Sequence, residues 1–245
     1  MPKAPAADQR RLLDVQDADT RIAQARHRRA NLPVLAELAE ITGRAEDLER
    51  ARELARIEAS DLRREVTKAE DDVRAVRSRA ERDTERLNSG QGTPKDLQAL
   101  QSELELLAKR QADLEDIQLE VMERLEAAEQ RVAQADEQAT ALRAQAAELE
   151  ARRDAEWAAI DAELEELAAA RKAAAEGLDA DLLALYERLR AANGGVGAAR
   201  LLRGQCQGCH MTLNPVDLGR IESAAEDDVV RCEECGRILV RGAAQ

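Results

Sequence analysis

The four cysteines of the chain have the spacing that is most informative about chemistry. They form two Cys-x-x-Cys pairs, and 22 residues separate Cys209 from Cys232. Two residues between the cysteines of a pair let both sulfurs reach one ion at about 2.3 Å, and two pairs complete a tetrahedron. The spacing predicts one structural Zn²⁺ per chain, with the ligands Cys206, Cys209, Cys232 and Cys235.

Other chemistries fit the same residues and remain as alternatives. The cysteines could form two disulfides or two redox-active pairs, and a four-sulfur cage also accepts iron. The doubled spacing favours zinc. Because four thiolates saturate a tetrahedral ion, the site would be structural, with no position open to a substrate. Gly208 and Gly236 lie where tight turns with positive φ are expected.

The composition indicates long helices with little globular core. Charged residues make up 36% of the chain and aromatic residues 1%, with one Trp, one Tyr and no Phe. Ala, Glu, Leu, Arg and Gln dominate, as is typical of coiled coils. The net charge of −13 argues against the whole chain wrapping nucleic acid, although a local basic patch is compatible with it. No apolar run is long enough for a membrane span, and the first residues lack the apolar core of a signal peptide. We expect a cytoplasmic protein with reduced thiols.

Apolar residues follow a seven-residue period in two long segments. A first helix is expected from near Asp8 to a break at Asn31-Leu32-Pro33. From Ile41 to Leu87 the apolar row is interrupted only by Arg52 and Asp83. The second row runs from Leu97 to Leu149 and resumes in a shifted frame at Trp157, which indicates a stutter. Such rows need a partner helix along one side.

Residues 88–94 predict the turn between these helices. Two glycines end the first helix, and Thr93-Pro94 provides an N-cap and a first helical residue for the second. So short a turn favours an antiparallel hairpin within one chain, and a homodimeric coiled coil is the alternative. If the turn lies midway between the helices, Asn31 is expected near Glu150.

The C-terminal region predicts a small ribbon. We expect the second helix to continue past Gly177 to residue 193, with Tyr186 as a packing residue. Short strands are expected at 201–202, 211–213, 229–230 and 238–240, and a helical turn after Asn214-Pro215. A domain of about 50 residues is too small to bury a sufficient core, so zinc would be a condition of its folding. The predicted fold is mainly α: a long antiparallel coiled-coil helical hairpin in 1–193, followed by a small β zinc ribbon in 194–245.

The charges of the ribbon give no strong attraction for phosphates. From Gly194 onward the chain has six arginines and seven acidic residues, and four thiolates around Zn²⁺ add negative charge. The two histidines, His27 and His210, are far apart in sequence, and His210 is expected on the surface beside the metal site. The sequence contains no phosphate-binding G-x-x-x-x-G-K-[ST] motif. These features argue against an enzyme.

The chain resembles the bacterial four-cysteine zinc-ribbon proteins that carry a long N-terminal coiled-coil hairpin. The resemblance rests on Asn31-Leu32-Pro33, on the segment 95–104 after the turn, and on the blocks 204–215 and 230–239 around the cysteines. It implies an adaptor that binds a protein partner or nucleic acid. Relatives in flagellated or secretion-competent bacteria act on an alternative sigma factor, on flagellar messenger RNA or on secretion components.

Two hypotheses about function follow from the sequence. The favoured one is a non-enzymatic adaptor whose hairpin and ribbon bind a protein partner. The alternative is a regulator that binds RNA or DNA through the ribbon arginines Arg200, Arg203, Arg231, Arg237 and Arg241. Neither involves a membrane or a small-molecule substrate.

Overall fold

A computed structural model describes residues 2–242 and confirms the predicted fold class. Long helices form a hairpin, and a small three-stranded sheet follows. The helices in the described residues are α1 (Ala6–Ala30), α2 (Pro33–Asn88), α3 (Pro94–Ala175), α4 (Ala180–Ala192) and α5 (Pro215–Ser223). The strands are β1 (Ala198–Leu202), β2 (Gln205–Cys206) and β3 (Ile238–Val240). Within residues 2–242 no helix combines the length and the apolar character that crossing a membrane requires.

The chain divides into two compact units. The ribbon unit contains the described residues up to Leu35 and from Ala151 onward, and the hairpin unit contains Ala36–Glu150. The ranges 1–193 and 194–245 that the sequence suggested stay a prediction. In the ribbon unit, Leu12 and Val15 of α1 form one buried cluster with residues of α4, β1 and β3. The sheet therefore shares its core with the first helix of the chain.

Local capping signals account for most helix boundaries. α1 ends at Ala30 and Pro33 begins α2, as predicted. At the turn of the hairpin, the Thr93 amide donates to Asp96 Oδ2 at 2.9 Å, and the Asp96 amide donates back to Thr93 Oγ1 at 3.3 Å. These reciprocal bonds satisfy amides that the first turn of α3 leaves without helical partners.

One boundary was predicted wrongly. The second long helix does not continue past Gly177: α3 ends at Ala175, and α4 begins at Ala180. Gly177 has a φ of +72°, which ends the helix in the left-handed region. Asp179 then caps α4, because its side chain accepts from the Leu182 amide at 2.8 Å. The leucine spacing on both sides of this break resembles one continuous helix.

The predicted register of the hairpin is also wrong. Asn31 does not lie near Glu150. Two residues before Asn31, the backbone carbonyl of Arg29 accepts a hydrogen bond from Trp157 Nε1 at 3.2 Å. The Arg29 guanidinium pairs with Asp161 at 2.7 Å. The break between α1 and α2 thus faces the apolar residues that follow the stutter.

Apolar packing in the hairpin unit explains this shift. Leu62 is buried with Val121 and Ala128, with Leu125 packed against them, whereas a turn midway between the helices would have placed it opposite Leu119. Leu119 is 59% exposed. The two helices therefore pair where their apolar rows interlock, and the turn accommodates the offset. Charged pairs across the hairpin unit, among them Arg63–Glu129, Arg77–Glu115 and Arg79–Glu103, follow the antiparallel direction.

The strand predictions hold in part. The sheet order is β2-β1-β3, with β1 antiparallel to β2 and parallel to β3. Residues 211–213 and 229–230 are not strands. Thr212 forms one isolated bridge with Gln205, and Val230 accepts from the Leu239 amide at 3.0 Å. Neither segment forms a longer ladder with the sheet, because residues 211–213 lead into the cap of α5 and residues 229–230 lead into the second cysteine pair.

Candidate metal centre

The β1–β2 hairpin positions the first cysteine pair. Its two-residue turn consists of Arg203 and Gly204, with φ of 50° and 73°. Two consecutive residues with positive φ match the right-handed twist of the flanking strands. This turn pairs Leu201 with Cys206, so the first sulfur projects from the end of β2.

The two cysteine pairs adopt the same backbone fold, which we call a knuckle. In knuckle 1 (residues 206–211), the Cys206 amide donates to Met211 O at 3.1 Å, and the His210 amide donates to Cys206 O at 2.8 Å. His210 has a φ of 60°, and its side chain is exposed, as predicted. Histidine therefore occupies a left-handed position in which glycine would be less strained.

Knuckle 2 (residues 232–237) repeats this pattern. The Cys232 amide donates to Arg237 O at 2.9 Å, and the Gly236 amide donates to Cys232 O at 2.8 Å. Gly236 has a φ of 72°, as expected for a turn glycine. The equivalent bonds and dihedral angles show that both pairs present their sulfurs in the same way.

The structure brings all four predicted cysteines together. Their sulfurs lie within 4.8 Å of one another. The Cys206–Cys235 and Cys209–Cys232 sulfur distances are both 3.9 Å. A regular tetrahedron with metal–sulfur bonds of about 2.3 Å has sulfur–sulfur edges of about 3.8 Å. The cluster therefore has the dimensions of a tetrahedral Zn²⁺ site.

The cysteines differ in how readily they lose the protons that a cation would displace. Burial raises the pKa of Cys206, and burial raises the pKa of Cys232 to about 12. Burial acts in the same direction on Cys235, but the amide and side chain of Arg237 outweigh it and lower its pKa to about 7. A divalent cation would stabilise all the thiolates, because metal coordination deprotonates thiols.

Gly208 is required for a different reason from the predicted one. Its φ is not positive. A Cβ at this position would lie 2.8 Å from Cδ of Arg237 and 2.9 Å from Cβ of Ala199. Both distances are shorter than ordinary contacts between carbon atoms. Gly208 therefore allows the Arg237 side chain to pass directly over knuckle 1.

Two of the ribbon arginines are bound to the backbone of the protein itself. The Arg241 guanidinium donates to backbone carbonyls of Ile221, Ala224, Ala225, Glu226 and Asp228. Arg237 donates to Asn193 O and Val196 O, both at 3.0 Å. These two side chains are therefore not available to phosphates, although the sequence names both among the candidate phosphate contacts.

Sequence reasoning also missed the residues that attach the ribbon to α1. Gln16 is 6% exposed, and its side chain accepts from the Gly197 amide at 2.8 Å and donates to Gly195 O at 3.0 Å. Before α1, the Ala4 amide donates to Asp227 O at 2.8 Å. A glutamine among buried apolar helix positions is the only sequence signal for this role.

Beside these contacts lies an ionic cluster around the buried carboxylate of Asp19. Asp19 accepts from the Tyr186 hydroxyl at 2.7 Å and pairs with Arg171 at 2.7 Å and Arg190 at 3.0 Å. Tyr186 is fully buried, which confirms that it is a packing residue. The cluster joins α1, α3 and α4 within the ribbon unit.

The comparisons with known proteins agree with this architecture. Residues 15–194 match the CT398-like coiled coil hairpin domain. The chain belongs to this family. Residues 205–239 match the C4-type zinc ribbon domain. The chain is 38% identical over 241 residues to the uncharacterized protein Rv2229c of Mycobacterium tuberculosis, and the match covers 98% of this chain and 97% of that one.

Two solved structures have the same fold. A Mycobacterium smegmatis protein shares 35% identity and a TM-score of 0.86 over 98% of this chain and all of that one. CT398 from Chlamydia trachomatis shares 20% identity and a TM-score of 0.74, with 96% and 98% of the chains covered. The second likeness concerns the fold alone.

Proposed function

We propose that this family member is a non-enzymatic, zinc-dependent adaptor that binds a protein partner in the cytoplasm. One Zn²⁺ per chain would be held by Cys206, Cys209, Cys232 and Cys235. The ion would have a structural role, because four thiolates leave no coordination position for water or a substrate. The ribbon and the hairpin would provide the binding surfaces.

The metal part of this proposal is supported by the equivalent geometry of the two knuckles. Metal analysis of freshly purified, reduced protein should find about one zinc ion per chain. Cys206→Ser should lose most of this metal, whereas His210→Ala, which changes an exposed neighbour, should retain it. Full zinc content in Cys206→Ser, or none in the unchanged protein, would contradict the proposal.

The proposal of a protein partner rests on the bonds that the ribbon arginines make within the protein. Arg237 and Arg241 bind backbone carbonyls, Arg231 donates to Gly236 O at 2.7 Å, and Arg220 pairs with Glu233. Arg220 and Arg231 are exposed but bonded in this way, whereas the exposed side chains of Arg200 on β1 and Arg203 in the adjacent turn make no hydrogen bond or ion pair in the described residues. Two free cations give little of the counterion release that drives binding to nucleic acid.

Exposed apolar side chains on the ribbon support the same choice. Met211, directly after knuckle 1, is 52% exposed, and Val216 at the start of α5 is 81% exposed. Met side chains adapt to irregular apolar partners. We expect the partner to contact these two residues.

Site-specific photo-cross-linking in the native host tests this contact. A photoreactive residue at Met211 or Val216 should capture one discrete protein, and the capture should be lost when Cys206→Ser is added. The matched control is Ser223, which is exposed near the other end of α5 and should capture nothing specific. Equal capture at all three positions would contradict the proposed surface.

A salt titration tests the nucleic-acid alternative. If Arg200 and Arg203 contacted phosphates, replacing both with alanine would reduce the salt slope of RNA binding by about two. We expect weak RNA binding that the double variant does not change. Tight binding at physiological salt that the double variant abolishes would replace the adaptor with a nucleic-acid-binding regulator.

A further inference from the structure

Arg237 contacts both knuckles and the C-cap of α4. Its backbone carbonyl closes knuckle 2 by accepting from the Cys232 amide. Its side chain then crosses knuckle 1 at Gly208, where only a glycine leaves room. Its guanidinium ends at the carbonyls of Asn193 and Val196.

One of these two carbonyls, that of Asn193, lies at the C-terminal end of α4, and the other, that of Val196, lies three residues further along the chain. Asn193 is the C-cap of that helix. The last carbonyls of a helix lack intrahelical partners and carry the negative end of the helix dipole. An arginine there supplies both donors and positive charge. Arg237 therefore caps α4 from the metal-binding ribbon.

The charge of the metal site gives this contact a second role. Four thiolates around Zn²⁺ carry a net charge of −2, and a nearby guanidinium offsets part of it. Arg237 lies two residues after Cys235, and its backbone carbonyl accepts from the amide of the ligand Cys232 at 2.9 Å, so it lies directly beside the metal site. Groups that orient and neutralise metal ligands commonly change metal affinity by 10- to 100-fold when they are removed.

We propose that Arg237 is a positioning residue that couples zinc binding to the docking of the ribbon on the C-terminal end of α4. When the four sulfurs hold the metal, both knuckles are fixed and the Arg237 side chain is held over Gly208. Its guanidinium then caps α4. Loss of the metal loosens the knuckles and with them this cap. The metal state of the ribbon is thereby transmitted to a helix that contributes no ligand. This coupling rests on the proposed zinc site.

Zinc affinity of the full-length protein provides the first test. Competition with a chromophoric chelator should show that Arg237→Ala binds zinc about 10- to 100-fold more weakly than the unchanged protein. Arg200→Ala is the matched control, because it removes the same charge from an exposed side chain that makes no hydrogen bond or ion pair in the described residues, and it keeps the backbone bond from Gln207 to the residue 200 carbonyl. Affinity within about threefold of the unchanged protein for Arg237→Ala, or an equal loss in Arg200→Ala, would overturn the proposal.

Hydrogen exchange distinguishes coupling from a purely structural role. In the unchanged protein, zinc removal should accelerate exchange of the backbone amides in 190–197. In Arg237→Ala these amides should exchange fast in both states, so that zinc no longer changes them. If zinc protects these amides equally in both proteins, Arg237 does not couple the two sites.

Arg237→Lys keeps the test decisive if the alanine variant does not fold. Lysine retains the charge but cannot donate to two carbonyls in the fork geometry of a guanidinium. We expect intermediate zinc affinity and reduced zinc-dependent protection of 190–197. Behaviour identical to that of the unchanged protein in both measurements would refute the coupling. Absence of any zinc binding by the unchanged protein would instead refute the proposed metal site itself.

Discussion

Gln16→Ala tests how the first helix supports the ribbon. The Gln16 side chain is buried in the ribbon unit, where its Oε1 accepts from the amides of Gly197 at 2.8 Å and Ala198 at 3.3 Å. Its Nε2 donates to Gly195 O at 3.0 Å. These residues lead into β1, the central strand of the sheet. The substitution removes every one of these bonds and leaves the helix intact.

The size of the expected loss of stability depends on which backbone groups can bond to water after the substitution. Gly195 is exposed, so its carbonyl can be hydrated. Gly197 and Ala198 are buried, and their amides would lose this partner. A buried donor without a partner costs about 1–3 kcal/mol, and the longer bond to Ala198 contributes less. We expect the free energy of unfolding of the ribbon unit to fall by about 2–4 kcal/mol.

Urea unfolding of the zinc-loaded protein measures this loss. The fluorescence of Trp157, the single tryptophan, reports on the ribbon unit, so the transition of the other unit does not obscure it. Gln24→Ala is the matched control, because Gln24 is exposed on the same helix. It should change the free energy of unfolding by less than about 0.5 kcal/mol. Equal effects of the two variants would refute the argument from buried amides.

Three further predictions concern single side chains. Tyr186→Phe removes the hydroxyl bonded to Asp19 but keeps the ring. It should lower the free energy of unfolding, measured by Trp157 fluorescence, by about 1–2 kcal/mol, and an unchanged free energy would contradict this prediction. Arg52 is half-buried in the apolar row of α2, and its Nε atom is buried without a partner. Arg52→Leu should therefore leave the thermal midpoint of the hairpin unit by circular dichroism unchanged or raised, and a clear fall would show that the pair with Asp136 stabilises the unit. Because burial raises the pKa of Cys206 and raises that of Cys232 to about 12, zinc binding at pH 8 should release at least about two protons, and zinc affinity should fall as pH falls. Calorimetry in buffers of different ionisation enthalpy measures the proton release, and release of none would refute this.

Local signals in the sequence determined the elements and the metal ligands. Pro33 ends one helical path and begins the next, because proline cannot donate a helical hydrogen bond. Thr93-Pro94 marks the start of α3 through a cap that involves only residues three positions apart. The Cys-x-x-Cys spacing identifies the sulfur donors, because each knuckle is a short turn. Gly177 is a comparable local signal, but the leucine spacing on both sides of it is also that of one continuous helix.

The tertiary structure decided the register of the hairpin and the composition of the ribbon unit. A seven-residue period recurs along both helices, so it allows several alignments, and only the packing of Leu62 against Val121 and Ala128 selects one. Gln16 lies on α1, far in sequence from the sheet it supports. Arg237 and Arg241 resemble free surface cations in the sequence, yet their donors bind backbone carbonyls. Which carbonyls lie within reach of a long side chain depends on how distant segments pack together, and no local pattern encodes that.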